Sequence, residues 1–292
     1  MMKNRAWLYY AMITTVLWGV WGALIEIPEK AGFPATLGYT AWAITMIPVA
    51  ILALKLNGWK LDRDRRSVLL GLSAGLMGCG GQLILFQTLR IGPAYLVFPI
   101  ISLYPVVTIV LSVVFLKERA SKRGWAGIAL ALVAIVLLSY QQQDDGSDRG
   151  ILWLIPAMAV FLFWGIQAYI MKFAGDIKKE GSMKAESFAF YTMVCSLLLV
   201  PGALLMTDFS QEINTGFNGM YAAGIIQLLN AVGYLFFAYT LRHGKAIIVV
   251  PMLSLAPVIT VILSLILYMM IPHPVIITGM VLAFVAIYMM AE

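Results

Sequence analysis

Apolar residues run in long blocks along this chain, separated by short clusters of charged, amide and glycine residues. Blocks such as 6–25, 151–171 and 246–271 hold no Asp, Glu, Lys or Arg. A run of about 20 such residues, rising roughly 1.5 Å each, crosses a hydrocarbon core. The pattern predicts ten membrane helices, over 6–25, 34–54, 68–88, 93–116, 122–140, 151–171, 186–206, 217–240, 245–269 and 273–291. Polar and turn-forming residues mark the breaks, at 29–32, 57–58, 62–66, 141–149, 176–181 and 208–214. Trp7, Trp59, Trp125 and Trp153 stand near span ends, where interfacial anchors are expected.

One stretch is written twice. Residues 89–112 read LRIGPAYLVFPIISLYPVVTIVLS, and residues 241–264 read LRHGKAIIVVPMLSLAPVITVILS. At an offset of 152, 13 of the 24 positions are identical. The identities include Pro99/Pro251, Pro105/Pro257, Ser102/Ser254, Thr108/Thr260 and Ser112/Ser264. The expected organisation is a five-helix repeat at 1–140, a polar linker at 141–150 and a second five-helix repeat at 151–292. Five is odd, so the second repeat enters the membrane from the opposite side. Inverted repeats are a recurrent plan of secondary transporters, because similar halves in opposed orientation give two states of similar energy.

Composition agrees: 62% hydrophobic and 12% charged residues, against about 25% charged in soluble domains. The net charge of +6 does not point to nucleic acid, because the basic residues sort by loop. With the N-terminus in the cytoplasm, 17 of 20 Lys and Arg fall inside; only Lys30, Arg90 and Arg149 fall outside. Both termini are then cytoplasmic, in a bacterial-type inner membrane. The first apolar run is expected to remain as a helix rather than be cleaved. Cys79 and Cys195 lie within apolar runs and read as small buried hydrophobes.

The candidate chemistry is polar but uncharged. Each proline in a helix removes an N–H and displaces the carbonyl four residues back. Pro99, Pro105, Pro251 and Pro257 therefore predict kinks in spans 4 and 9, with Ser102 and Ser254 among the hydroxyls beside them. Trp18 and Trp164 occupy matching Trp-Gly steps in the first span of each half. Gln82, Tyr104, Gln167, Asn230 and Tyr234 place polar atoms at membrane depth, where each needs a cavity or an interhelical bond. Both readings stand for each residue: lining a solute cavity, or packing helix against helix. No charged residue lies mid-span, and Glu118 reads as a helix-end contact. No nucleophile has a base nearby, so catalysis is not expected. Glycines 71–81 lack the Lys-Ser/Thr of a phosphate loop and read as a packing face. The isolated His243 and His273 suggest no metal site, and no cofactor is expected.

Span 4 runs through YPVVTIVLSVVFL into Lys117-Glu118-Arg119, followed by Gly124 and Gly127; Trp18-Gly19 stands in span 1. This resembles the drug/metabolite transporter superfamily in its ten-helix form with two EamA-like domains. The resemblance implies a 5+5 inverted repeat around a cavity formed by spans 1, 3, 4, 6, 8 and 9. Characterised relatives move amino acids, other metabolites, nucleotide sugars or lipophilic drugs. One departure stands out: Met270 occupies the position in the second repeat that Glu118 holds in the first.

The expected activity is secondary transport of a small neutral or zwitterionic solute, amino-acid-like or aromatic, by alternating access in the direction of export. The alternatives are a lipophilic-drug exporter and a membrane binding or sensory protein. The implied partners are the solute, the lipid bilayer and a proton or other coupling ion. Reporter fusions or chemical labelling should place both chain ends on the same side of the membrane; ends on opposite sides would contradict the ten-span reading.

Overall fold

The structure, a computed structural model, describes residues 6–92, 94–140, 151–268 and 272–291, with side chains at all of these except 94, 95 and 268. The expected linker at 141–150, and Met270, lie outside the described residues. The described residues contain no strand. The helices are α1 (Ala6–Leu24), α2 (Glu26–Lys30), α3 (Ala35–Leu56), α4 (Arg65–Ile91), α5 (Ala94–Ser102), α6 (Tyr104–Phe115), α7 (Lys122–Leu138), α8 (Leu154–Gly175), α9 (Ala185–Leu205), α10 (Ala222–His243), α11 (Ala246–Leu253), α12 (Pro257–Tyr268) and α13 (Pro274–Met290). A π-turn at Phe217–Tyr221 leads into α10.

All ten predicted spans are helical, and two are broken. The fourth divides at Leu103 into α5 and α6; the ninth divides at 254–256 into α11 and α12. Pro99 and Pro251 sit inside the leading pieces, while Pro105 and Pro257 open the trailing ones. Proline suits a first helical turn, where the missing N–H is unpaired in any case. Some displaced carbonyls find new donors: that of Leu253 accepts from Ala256 N–H at 3.1 Å. Eight helical stretches among the described residues are long and apolar enough to span a membrane. α7 and α13, at 17 residues each, stand at the short end of the range.

Helix packing repeats with the two halves exchanged. α1 packs along α10 and α12, as α8 packs along α4 and α6. α9 lies against α4 as α3 lies against α10, and α3–α9 and α7–α13 each join an element to its own counterpart. The bundle thus has a pseudo-twofold relation between the repeats. Large apolar side chains such as Met12, Val16, Val110, Val114, Leu162, Val281 and Phe284 face outward, as a lipid-facing surface requires.

Glycines set the closest approaches. A Cβ on Gly71 would stand 2.3 Å from the Tyr191 ring, and one on Gly75 would stand 2.8 Å from Cys195 Sγ, so this face packs on α9. Both cysteines are buried and free. The tryptophans divide. Trp59 and Trp125 are exposed, whereas Trp153 is buried with its Cβ against Gly92, and Trp7 packs the same way against Gly244. The last two are therefore packing elements rather than interfacial anchors.

Gly19 and Gly165 leave no room for a side chain: an added Cβ would lie 2.5 Å from Ile259 Cβ and 2.4 Å from Val107 Cβ. Gly19→Ala and Gly165→Ala should each destabilise by about 1–3 kcal/mol, as overpacking does. Gly224→Ala, which meets nothing within 4 Å, should not. Thermal unfolding of purified protein in detergent measures all three.

Candidate functional site

The two Trp-Gly steps are the hubs of the bundle. Trp18 Nε1 donates to the Asn230 carbonyl at 3.4 Å; Trp164 Nε1 donates to the Gly78 carbonyl at 3.3 Å. One residue on, the Gly19 carbonyl accepts the Thr260 hydroxyl at 2.9 Å, and the Gly165 carbonyl accepts the Thr108 hydroxyl at 2.8 Å. Each step therefore ties three helices: α1 to α10 and α12, and α8 to α4 and α6. Glycine is needed opposite each indole, since a Cβ on Gly81 or Gly233 would meet its Nε1 at 2.6 Å. All four bonds join one repeat to the other, and each pair differs by 0.1 Å. In lipid such bonds have no water to compete with them, and interhelical hydrogen bonds there contribute about 0.6–2 kcal/mol each.

Around these hubs the pseudo-symmetry ends. Tyr104 Oη lies 2.9 Å from Ser254 Oγ, joining the broken fourth span to the broken ninth. Its ring meets Trp164 edge-on, with centroids 5.9 Å apart and planes at 84°. On the other side Trp21 Nε1 donates to Gln227 Oε1 at 3.1 Å. Tyr104, Trp164 and Ser254 thus form one polar group at the junction of the repeats. Ser102 stands apart from it, bonded to Ser139 of α7 at 2.8 Å.

The remaining candidates fall into two kinds. Gln167 and Tyr234 are buried; Tyr234 Oη accepts the Thr192 hydroxyl at 2.7 Å and lies 3.5 Å from Met171 Sδ. Gln167 Nε2 would stand 2.2 Å from a Cβ on Gly78, so it fills the gap this glycine leaves. Gln82 and Asn230 are half-buried, and their side-chain amides have no hydrogen-bond partner among the described residues. Gln82 follows Gly78 by one helical turn, on the α4 face that meets Trp164. Asn230 gives its carbonyl to Trp18 and keeps its amide free. The side-chain amides of Gln82 and Asn230 thus have unused hydrogen-bonding capacity.

Three polar clusters near one end of the bundle are not evident from sequence. Glu118, between α6 and α7, is buried with Lys172 and Asp176 of α8. Asp62 accepts from Ser187 Oγ at 2.8 Å and from Lys184 N–H at 2.7 Å, while the Asp62 carbonyl takes the Tyr191 hydroxyl at 2.6 Å. Glu186, at the start of α9, is buried; Tyr239 donates to one oxygen and the other has no partner. Lys172 and Glu186 stand at span ends in the sequence, which gives exposure as the default reading. Only the docking of the facing helices covers them.

Comparison with known proteins agrees with this architecture. A crystal structure of a protein superposes with a TM-score of 0.78 over 96% of this chain and 97% of its own, at 16% identity, which establishes the shared fold. Protein LicB of Haemophilus influenzae is 24% identical over 77% of this chain and 76% of its own length. A probable magnesium transporter, NIPA9 of Arabidopsis thaliana, is 22% identical over 72% of this chain and 62% of its own. An uncharacterized protein of Methanocaldococcus jannaschii is 41% identical over 59 residues, 20% of this chain and 43% of its own. The EamA-like transporter family matches twice, at residues 5–140 and 149–291. A multi-pass helical bundle built from two copies of that unit belongs to the EamA-like transporter family.

Proposed function

We propose that the chain is a secondary carrier for a small organic solute, amino-acid-like or aromatic, neutral or zwitterionic. It works by alternating access in a bacterial-type inner membrane, with both termini cytoplasmic. The observation that carries this reading is the matched pair of hubs. Equivalent bonds in the two halves, within 0.1 Å of one another, support a reading in which the halves can exchange roles. A bundle so constructed has two arrangements of comparable energy, related by exchanging the roles of its halves. Export is assigned on family resemblance alone.

The solute class is drawn from the polar groups at the junction and at the two Trp-Gly hubs. Tyr104, Trp164, Trp18 and the amides of Gln82 and Asn230 offer aromatic surface and neutral hydrogen-bonding atoms. A solute with net charge would find no countercharge there. A lipophilic-drug exporter is the second reading, favoured if the amides prove dispensable.

Purified protein in liposomes, screened against a metabolite library, should show counterflow of a neutral or zwitterionic solute. The same solute should raise the protein's thermal stability by mass action, by about 2.7 kcal/mol at a hundred times its Kd. Gln82→Leu and Asn230→Leu should each reduce that transport about tenfold, the value of one lost 1.4 kcal/mol interaction. Full transport in both variants would remove them from the site.

A further inference from the structure

The two ends of the bundle are not equivalent. At the end where α1 begins and α13 finishes, the segment between α6 and α7 reaches across to the second repeat. Lys117 adopts a left-handed backbone, φ 54°, which a non-glycine residue takes only when its surroundings hold it there. Glu118 N–H then donates to the Ser112 carbonyl at 3.1 Å, and the side chain turns inward. Its Oε2 accepts the N–H of Ile247, in the first turn of α11, at 3.1 Å. Its Oε1 lies 3.9 Å from Lys172 Nζ, which lies 3.4 Å from Asp176 Oδ1. Lys172 and Glu118 side chains are only 5% and 9% exposed, and Asp176 is 18% exposed. Beside them Lys245 Nζ donates to the Arg119 carbonyl at 2.7 Å.

The pseudo-twofold relation shows what the opposite end lacks. Trp18 corresponds to Trp164, an offset of 146, so Lys172 corresponds to Glu26. The offset of 152 makes Met270 the counterpart of Glu118, and Tyr95 that of Ile247. Glu26 is exposed and pairs with Lys30 of its own short helix, not with the other repeat. A buried carboxylate–ammonium clasp between repeats therefore has the sequence to form at one end only.

We propose that Glu118 is the coupling-proton site of the carrier, and that its protonation releases the clasp at the terminal end. This rests on the carrier reading above and names the ion that reading leaves open. In the clasped state Lys172 is shared between two carboxylates. A proton on Glu118 leaves it with Asp176 alone and removes the charge that holds the Ile247 N–H, so that tie between α11 and the first repeat is lost. The groups facing Glu118 are Lys172 and Asp176 from α8, the N–H groups of Ala246 and Ile247 from α11, Ser112 from α6, and Lys117 and Arg119 of its own segment. Burial pushes the Glu118 carboxyl above its ordinary range, and the Ile247 N–H and Lys172 oppose the shift. The clasped, ionised form is thus favoured at high pH, and the open, protonated form as pH falls through the raised value. Glu186, the other buried acid nearby, contacts Tyr239 and none of the groups of the clasp.

Infrared difference spectroscopy of the full chain in lipid nanodiscs, titrated over roughly pH 5–9, reads carboxyl protonation without any solute. We expect a protonated-carboxyl band in wild type, its loss in Glu118→Gln and its retention in Glu186→Gln. Lys172→Gln should move the midpoint up by about one pH unit or more, because a neighbouring cation is removed. Hydrogen exchange at one fixed pH should show faster exchange of 246–250 in Glu118→Gln than in wild type. The proposal is overturned if wild type shows no band, if the band survives Glu118→Gln or vanishes with Glu186→Gln, or if Lys172→Gln leaves the midpoint unmoved. It is equally overturned if exchange at 246–250 is unchanged. Failure of the solute screen with the band intact would count against the carrier reading and leave the proton site standing.

Discussion

Every helix broken inside a membrane exposes backbone carbonyls to a medium that cannot bond them, so each break must be matched by donors from neighbouring helices. This chain breaks two spans, at Leu103 and at 254–256; the Ala256 N–H takes up the Leu253 carbonyl, and each broken span is pinned to an intact helix of the other repeat. The Thr108 and Thr260 hydroxyls reach across to the carbonyls of Gly165 and Gly19, and the adjoining indoles bond the next helix along. Glycine at 19, 81, 165 and 233 makes these reaches short enough. α1 and α8 each run beside one broken span and one intact helix of the other repeat.

The same bonds hold the repeats together, and each has a twin in the other half. Two asymmetries bear on function. At the junction, Tyr104 and Ser254 meet where the symmetric positions hold Ala256 and Ser102, which gives the site a polar side. At the terminal end, acid and base from opposite repeats are buried together, whereas the matching position at the far end bears an exposed glutamate. A buried pair is costly to form and costlier to leave half-paired. In the proposed cycle it would hold one state until a proton arrives.

Much of this was legible in the sequence because it depends on spacing along the chain. Charge-free runs gave the spans, the recurring prolines located the breaks between α5 and α6 and between α11 and α12, and the offset repeat gave the pairing of halves. What stayed hidden depends on residues brought together by docking. Trp18 and the Asn230 carbonyl lie 212 residues apart, and nothing in either segment specifies the other. Trp153 carries the pattern of an interfacial anchor, yet the turn at Gly92 covers it. Lys172 reads as a span end and Glu118 as a helix-end contact, and their partners emerge only where α8 and the α6–α7 segment meet. Ser102 and Ser254 match in sequence but part company in the fold, because one faces α7 and the other faces Tyr104.

Alternation between halves is the claim on which the rest stands, and pulsed electron resonance between spin labels at both ends tests it directly. Labels at Lys122→Cys and Lys178→Cys report the terminal end, and labels at Lys30→Cys and Thr215→Cys report the other; all four positions are exposed, and the native cysteines are buried. Two populations should appear whose separations change in opposite senses, one end widening as the other narrows. Ends that widen together, or a single fixed distance at each end under every condition, would contradict it.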